Sequence, residues 1–328
     1  MKRLYFIITA FMATLAVNAV DDNTVEIIYN GSSATVTVAS NISNYITNLS
    51  NGSSHVKLIQ GSGVNDKVGE IIYNLSGTST DGEFYLDGSY KTTIELAGLT
   101  LTNPDGPALN IQNGKRVAIS AKKGTNNTLI DGSDYTSDLN GCLHCKGHTE
   151  FQGKGTLNIV GKYKHGIYSK EYVEIKNLTL NITAAQKDGI HCKEYFLMKS
   201  GTVNISGVGD DGIQVELKED NPTAITPGHE DEDTGNFYME DGELTINNFG
   251  GNAIKADGSI TTTGGTQNYD KNAVVEYAMG ISDIVMDNFG GPYAIYDLNG
   301  RQLPDSKSLS RGIYLIRQGN QVKKAIVR

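Results

Sequence analysis

The chain has 328 residues and a formal net charge of −9, with 38 glycines, three cysteines and no tryptophan. The acidic balance argues against nucleic acid as a partner, because neutralising phosphates needs a surplus of Lys and Arg. Abundant Gly, Asn, Thr and Ser suit a β protein dense in turns, and no apolar run is long enough for an ordinary membrane span.

Lys2 and Arg3 precede an almost wholly apolar stretch, Leu4 to Leu15, followed by Ala16-Val17-Asn18-Ala19. This order is that of a secretory signal peptide over residues 1–19, with cleavage expected after Ala19. The mature chain is then secreted or held at the outer cell surface. Losing Lys2 and Arg3 takes its formal charge from −9 to −11.

Residues 20–82 alternate strongly, as in Val25-Glu26-Ile27-Ile28-Tyr29, Ala34-Thr35-Val36-Thr37-Val38 and Val56-Lys57-Leu58-Ile59. These predict strands of an N-terminal β cap, which a repeat array needs to protect its first edge. Residues 83–289 carry a different signal. Lys164-His165-Gly166-Ile167, Lys187-Asp188-Gly189-Ile190 and Asp210-Asp211-Gly212-Ile213 follow one another at steps of 23. Thr156-Leu157-Asn158-Ile159, Thr179-Leu180-Asn181-Ile182 and Thr202-Val203-Asn204-Ile205 repeat with the same period, and Val173-Glu174-Ile175 is echoed by Phe196-Leu197-Met198.

Three short alternating segments per 23 residues, each closed by Gly, Asn or Asp, make three strands and three turns. Stacked unit on unit they predict an all-β, right-handed single-stranded parallel β-helix. Ile213 to Ile254 spans 41 residues, so an insertion of 18, near 218–236, leaves the strand phase intact. The tail, 290–328, reads as a small separate β unit: Tyr293-Ala294-Ile295-Tyr296-Asp297-Leu298-Asn299-Gly300-Arg301, Arg311-Gly312-Ile313-Tyr314-Leu315-Ile316, and a basic final strand.

In-register stacking assigns faces, because successive side chains alternate across a strand. Leu109, Leu143, Ile167, Ile190, Ile213 and Ile254 form an inward ladder, with Ile111, Cys145, Ser169, Cys192, Val215 and Ala256 two residues on. Cys145 and Cys192 then lie two turns apart, about 9.6 Å, which exceeds disulfide reach. Free, mostly buried thiols are expected.

One outward row holds His144, Tyr168 and His191, whose rings and polar groups suit sugar rings. The next holds Lys146, Lys170 and Lys193, whose ammonium groups at one strand spacing repel by about 0.9 kcal/mol per pair even in water. A polyuronate, with carboxylates at a comparable repeat, would relieve that repulsion; a solvated face with splayed lysines is the plain alternative. In the turn row, Asp188 and Asp211 are equivalent on successive turns, with Asp210 adjacent. Carboxylates that close share a proton or a cation, and an oxygen-only set with no histidine at the same point favours Ca²⁺. Asp before Gly is also ordinary turn chemistry.

Gly98-Leu99-Thr100-Leu101-Thr102, Asn113-Gly114-Lys115-Arg116-Val117 and the two Asp-Gly-Ile motifs above resemble a family of bacterial secreted carbohydrate-binding β-helix proteins, related in fold to calcium-dependent pectate lyases. The resemblance spans about residues 83–265. It implies binding of acidic plant-type polysaccharide such as polygalacturonate, with calcium on Asp188, Asp210 and Asp211. The tail, in Tyr-Asp-Leu-Asn-Gly-Arg, Gly-Ile-Tyr-Leu-Ile and Lys-Lys-Ala-Ile-Val-Arg, resembles the sorting domain of the type IX secretion system and implies the secretion machinery as a partner. Two alternatives stay open: a polysaccharide lyase, for which Lys193 and then Lys255 are the candidate bases, and a structural surface protein or adhesin.

Overall fold

The computed structural model describes residues 20–135, 138–217, 234–276, 294–297, 300–303, 312–318 and 321–327. The expected signal peptide and most of the insertion near 218–236, which carries Glu219, Asp220, Glu230, Asp231, Glu232 and Asp233, lie outside the described residues. Among those described the protein is all-β, apart from two short 3-10 turns, and its strands fall into long parallel sheets.

Three columns of parallel strands are visited in turn. The first runs through Thr92–Thr102, Val117–Ala121, Thr149–Gly153, Val173–Ile175, Tyr195–Met198, Asn236–Met239 and Ile260–Thr262. The second continues from the far half of Thr92–Thr102 through Asn126–Ile130, Thr156–Val160, Thr179–Ala184, Thr202–Val208, Glu243–Phe249 and Thr266–Asn268. The third comprises His55–Gln60, Glu83–Asp87, Leu109–Ile111, Gly141–Cys145, His165–Ser169, Ile190–Lys193, Ile213–Glu216, Ile254–Ala256 and Val274–Glu276. Thr92–Thr102 changes column at Gly98, whose φ of +87° is the left-handed backbone that glycine tolerates best. The buried Asn127 holds that bend: its Oδ1 accepts the N–H groups of Gly98 and Leu99, both at 2.9 Å.

Register explains why the period is so strict. Leu109, Leu143, Ile167, Ile190, Ile213 and Ile254 are each paired to the next and fully buried, as are Ile111, Cys145, Ser169, Cys192, Val215 and Ala256. A slip of one residue would turn the whole ladder to solvent. Phe196 and Phe237 stack inside the coil with centroids 5.0 Å apart. On the outside of the second column the amides of Asn126, Asn158, Asn181 and Asn204 form a hydrogen-bonded ladder, at 2.6, 2.9 and 2.9 Å. All three cysteines are free and buried.

The region read as an N-terminal cap is continuous with the coil. Thr24–Asn30 and Ile71–Ser79 pair in parallel and lead into Thr92–Thr102, while His55–Gln60 pairs in parallel with Glu83–Asp87. Only Ser33–Val38 and Ile46–Asn48 add antiparallel edges. The tail forms its own antiparallel sheet from Ala294–Asp297, Gln302–Leu303, Gly312–Gln318 and Gln321–Val327, none of which pairs with the coil.

Candidate functional site

The sequence-derived candidates converge on the third column and the turn that enters it. His144, Tyr168, His191, Gln214 and Lys255 are paired row-wise. The sequence leads one to expect ring faces of His144, Tyr168 and His191 open to sugars, but the structure covers them. His144 stacks on Tyr168 at 5.2 Å and Tyr168 on His191 at 5.3 Å, leaving exposures of only 2, 8 and 8%. Aromatic rings one strand spacing apart satisfy each other, so the row is a rigid backing rather than an open platform. Burial, then the charges of Lys170, Lys146 and Lys164, push His144 down to about 4, so it is neutral.

Beside this backing Lys146 and Lys170 are exposed and Lys193 half-buried. Glu216, the register partner of Lys193, closes the lysine row: its Oε2 lies 3.5 Å from Lys193 Nζ and 3.3 Å from His191 Nε2. The hydrogen bond from His191, helped by that ring's charge and by Lys193, outweighs burial and holds Glu216 at about 2.

The turn row differs from expectation in one respect. His165 is the 23-residue equivalent of Asp188, and its Nδ1 lies 3.1 Å from Asp188 Oδ2; His191 Nδ1 lies 2.9 Å from the same oxygen. The carboxylate row therefore does have histidines at the same point, and the repeat alignment already contained the signal. Burial would raise the Asp188 carboxyl, but the hydrogen bonds from both rings hold it well below the usual range. Burial lowers both imidazoles: His165 stays low, whereas the hydrogen bonds to Asp188 and Glu216 carry His191 above its ordinary value. Asp188 Oδ1 is also engaged, accepting the Asp211 N–H at 3.0 Å.

Asp211 offers more to a cation. Its Oδ1 accepts the Asn252 backbone N–H at 2.7 Å and side-chain amide at 2.8 Å. Its Oδ2 is buried with no hydrogen bond among the described residues, and Lys255 Nζ stands 3.6 Å away, an ion-pair distance. Exposed Asp210 lies alongside, and partial burial together with the charges of Asp211 and Asp188 raises its carboxyl. Oxygens of Asp188, Asp210 and Asp211 lie within 4.8 Å of one another. The orphaned oxygen and the crowding of negative charge fit a hard cation on Asp210 and Asp211; Asp188 would add only its field, because its own oxygens are already bound.

A third cluster escaped the sequence reading. His148 Nε2 lies 2.9 Å from Glu171 and 3.5 Å from the buried Glu194, and its ring stacks on Tyr172 at 4.2 Å, which stacks on Tyr195 at 4.6 Å. The signal was available, because Glu171-Tyr172 and Glu194-Tyr195 recur at the unit period. Glu194 takes a left-handed φ of +67°, uncommon for a residue with a side chain.

No curated protein matches this chain. Among solved structures, a polysaccharide lyase-like protein from C. thermocellum, determined as a gadolinium derivative, superposes with a TM-score of 0.50 over 77% of this chain and 99% of its own. At 17% identity the likeness is one of fold. A family profile described as carbohydrate-binding domain-containing protein matches residues 64–285, a span that contains every candidate residue above. The chain is therefore a member of the carbohydrate-binding domain-containing protein family.

Proposed function

We propose that this protein is a secreted or surface-held binder of acidic polysaccharide, polygalacturonate-like in charge spacing, that works with calcium and without cleaving its ligand. The observation that carries the reading is the lysine row on the third column. Lys146 and Lys170 are exposed one strand spacing apart, in line with Lys193 and backed by a rigid ring ladder. A polymer with repeated carboxylates turns their mutual repulsion into attraction, an arrangement that favours a chain of charges over a single anion. His144, Tyr168 and His191 act in this reading by holding the lysine strands in place.

Asp210 and Asp211 would hold the calcium, next to Asp188 and within reach of the same face. When bound, the ion would supply positive charge for uronate carboxylates. A lysine base needs burial or a cationic neighbour to lose its proton. Lys193 is half-buried and has Lys170 one strand spacing away, but it also faces the Glu216 carboxylate at 3.5 Å, and Lys255 faces Asp211 at 3.6 Å; a carboxylate partner opposes loss of the proton, which favours binding over lyase chemistry. The coil is read as right-handed, the hand that parallel crossovers almost always take. Export through the leader, with the tail as the sorting signal, completes the proposal.

The test is retention of the mature protein on immobilised polygalacturonate with and without calcium, followed by absorbance at about 235 nm for unsaturated product. Retention that falls by at least tenfold when Lys146, Lys170 and Lys193 are changed to Ser, with no product, supports the reading. Full retention in that variant refutes the lysine row. Product that disappears in Lys193→Ala would make the protein a lyase.

A further inference from the structure

The first column carries an open cleft of about 370 Å³ on its outer side, lined among others by Tyr195, Leu197, Tyr238, Glu240, Thr261 and Thr263. Its volume lies within the ~300–1,000 Å³ typical of small-molecule sites. None of the charged groups proposed to meet a polyuronate lines it.

Register explains why a cleft opens here. Along one row the rings of His148, Tyr172 and Tyr195 stack nearly parallel, at 4.2 and 4.6 Å. The next residue in that row is Asn236, paired with Tyr195, so the stack stops. Tyr238, from the neighbouring row, stands at 67° to Tyr195 with centroids 6.5 Å apart, and Asn236 donates to its hydroxyl at 2.5 Å. Tyr195 is tethered in turn by its hydroxyl to Glu174 at 3.2 Å. The two rings thus form a corner that is fixed before any ligand arrives. Leu197 and Thr261 are the register partners of Tyr238 on either side of it.

The chemistry of the walls is mixed in a particular way. Tyr195, Leu197 and Tyr238 present apolar surface, while Thr261, Thr263 and Glu240 are exposed at the rim as hydroxyls and a carboxylate. A pyranose has the same division, with a C–H face that packs on aromatic rings and hydroxyls around its edge. The charge of the rim selects among sugars. Glu240 is the charged residue among those lining the cleft, and Lys199 nearby is committed to Glu174 at 2.7 Å. Among the described residues that line the cleft, an acidic sugar would meet a carboxylate and no cation, whereas a neutral sugar would find acceptors for its hydroxyls.

We infer that the corner formed by Tyr195, Leu197 and Tyr238 is a subsite for a neutral pyranose unit of a polysaccharide, separate from the lysine row. This inference rests on the reading of the protein as a glycan binder and assigns a second chemical class of ligand to a second face of the coil. One molecule would then bridge acidic and neutral glycans.

The experiment is isothermal titration of the mature protein with neutral hexasaccharides of xylose, mannose and glucose, repeated with the protein saturated by oligogalacturonate. Tyr238→Ala and Thr261→Arg serve as site variants, the second on an exposed position so that folding is spared; circular dichroism checks both. The expected result is binding of at least one hexasaccharide, undiminished by oligogalacturonate, and weakened about tenfold or more in each variant. That result establishes the subsite even if polygalacturonate is not retained, in which case only the acidic-glycan reading falls. Absence of hexasaccharide binding, equal binding in wild type and both variants, or complete displacement by oligogalacturonate overturns the subsite, whatever happens to polygalacturonate.

Discussion

Replacing His148 by Gln tests the electrostatics of the corner between the third and first columns. The imidazole lies between Glu171 and the buried Glu194, at 2.9 and 3.5 Å. Burial alone would lower His148, but the hydrogen bonds and charges of the two glutamates outweigh it and raise it to about 9. A histidine with a raised folded value contributes stability that is complete below its unfolded value, near 6.5, and that fades as pH climbs through about 9. The difference of about 2.5 pH units, at 1.36 kcal/mol each, corresponds to about 3 kcal/mol. For a chain of this size that is roughly 6 °C in Tm.

The assay is thermal unfolding of wild type and His148→Gln between pH 6 and 9.5. Wild type should lose roughly 6 °C more than the variant across that range, and the variant should already be destabilised at pH 6, where two carboxylates are left without their imidazolium. An NMR titration that places His148 near 6.5, or parallel pH profiles for the two proteins, would show that the glutamates do not hold the charged ring.

Asp211→Ala should abolish any calcium-induced rise in Tm, measured in calcium and in chelator, whereas Asp188→Ala should cost about 3–5 kcal/mol in either condition because it strips a buried carboxylate from two imidazoles. Because the Asp188 carboxyl is held low in the fold, its contribution is present above about pH 3.9 and disappears as pH falls below that; acid unfolding of wild type and Asp188→Asn should converge there. At Gly212 an added Cβ would lie 2.5 Å from Ile246 Cγ2 and 2.6 Å from the Ala253 carbonyl oxygen, so Gly212→Ala should destabilise by about 1–3 kcal/mol, and an unchanged urea midpoint would mean that the turn can widen. Phe196→Ala removes one ring of a buried stack and should cost about 3–5 kcal/mol by the same measurement.

Much of the coil was legible because its interior is one-dimensional. A residue such as Ile190 sits between Ile167 and Ile213 whatever the loops do, so a period of 23 is enough to pair them. The row of His144, Tyr168 and His191 was legible in the same way, as was the grouping of Asp188 with Asp211. Its burial was not. Alternation says which side of a strand a ring occupies, but not that consecutive rings cover one another. The aromatic corner at Tyr195 and Tyr238 was hidden for a related reason: it joins two different rows, and periodicity compares a row only with itself.

The repeat therefore carries its own strand register, its inward aliphatic ladder and the positions of its lysines and aspartates, since each depends only on spacing along one chain and on alternation across a strand. The commitment of Asp188 to His165 and His191, the orphaned oxygen of Asp211 beside Lys255, and the cleft on the first column all depend on side-chain directions at corners. Those directions are set by packing between rows and by which polar atoms lie within reach of one another, quantities that exist only once the turns are stacked.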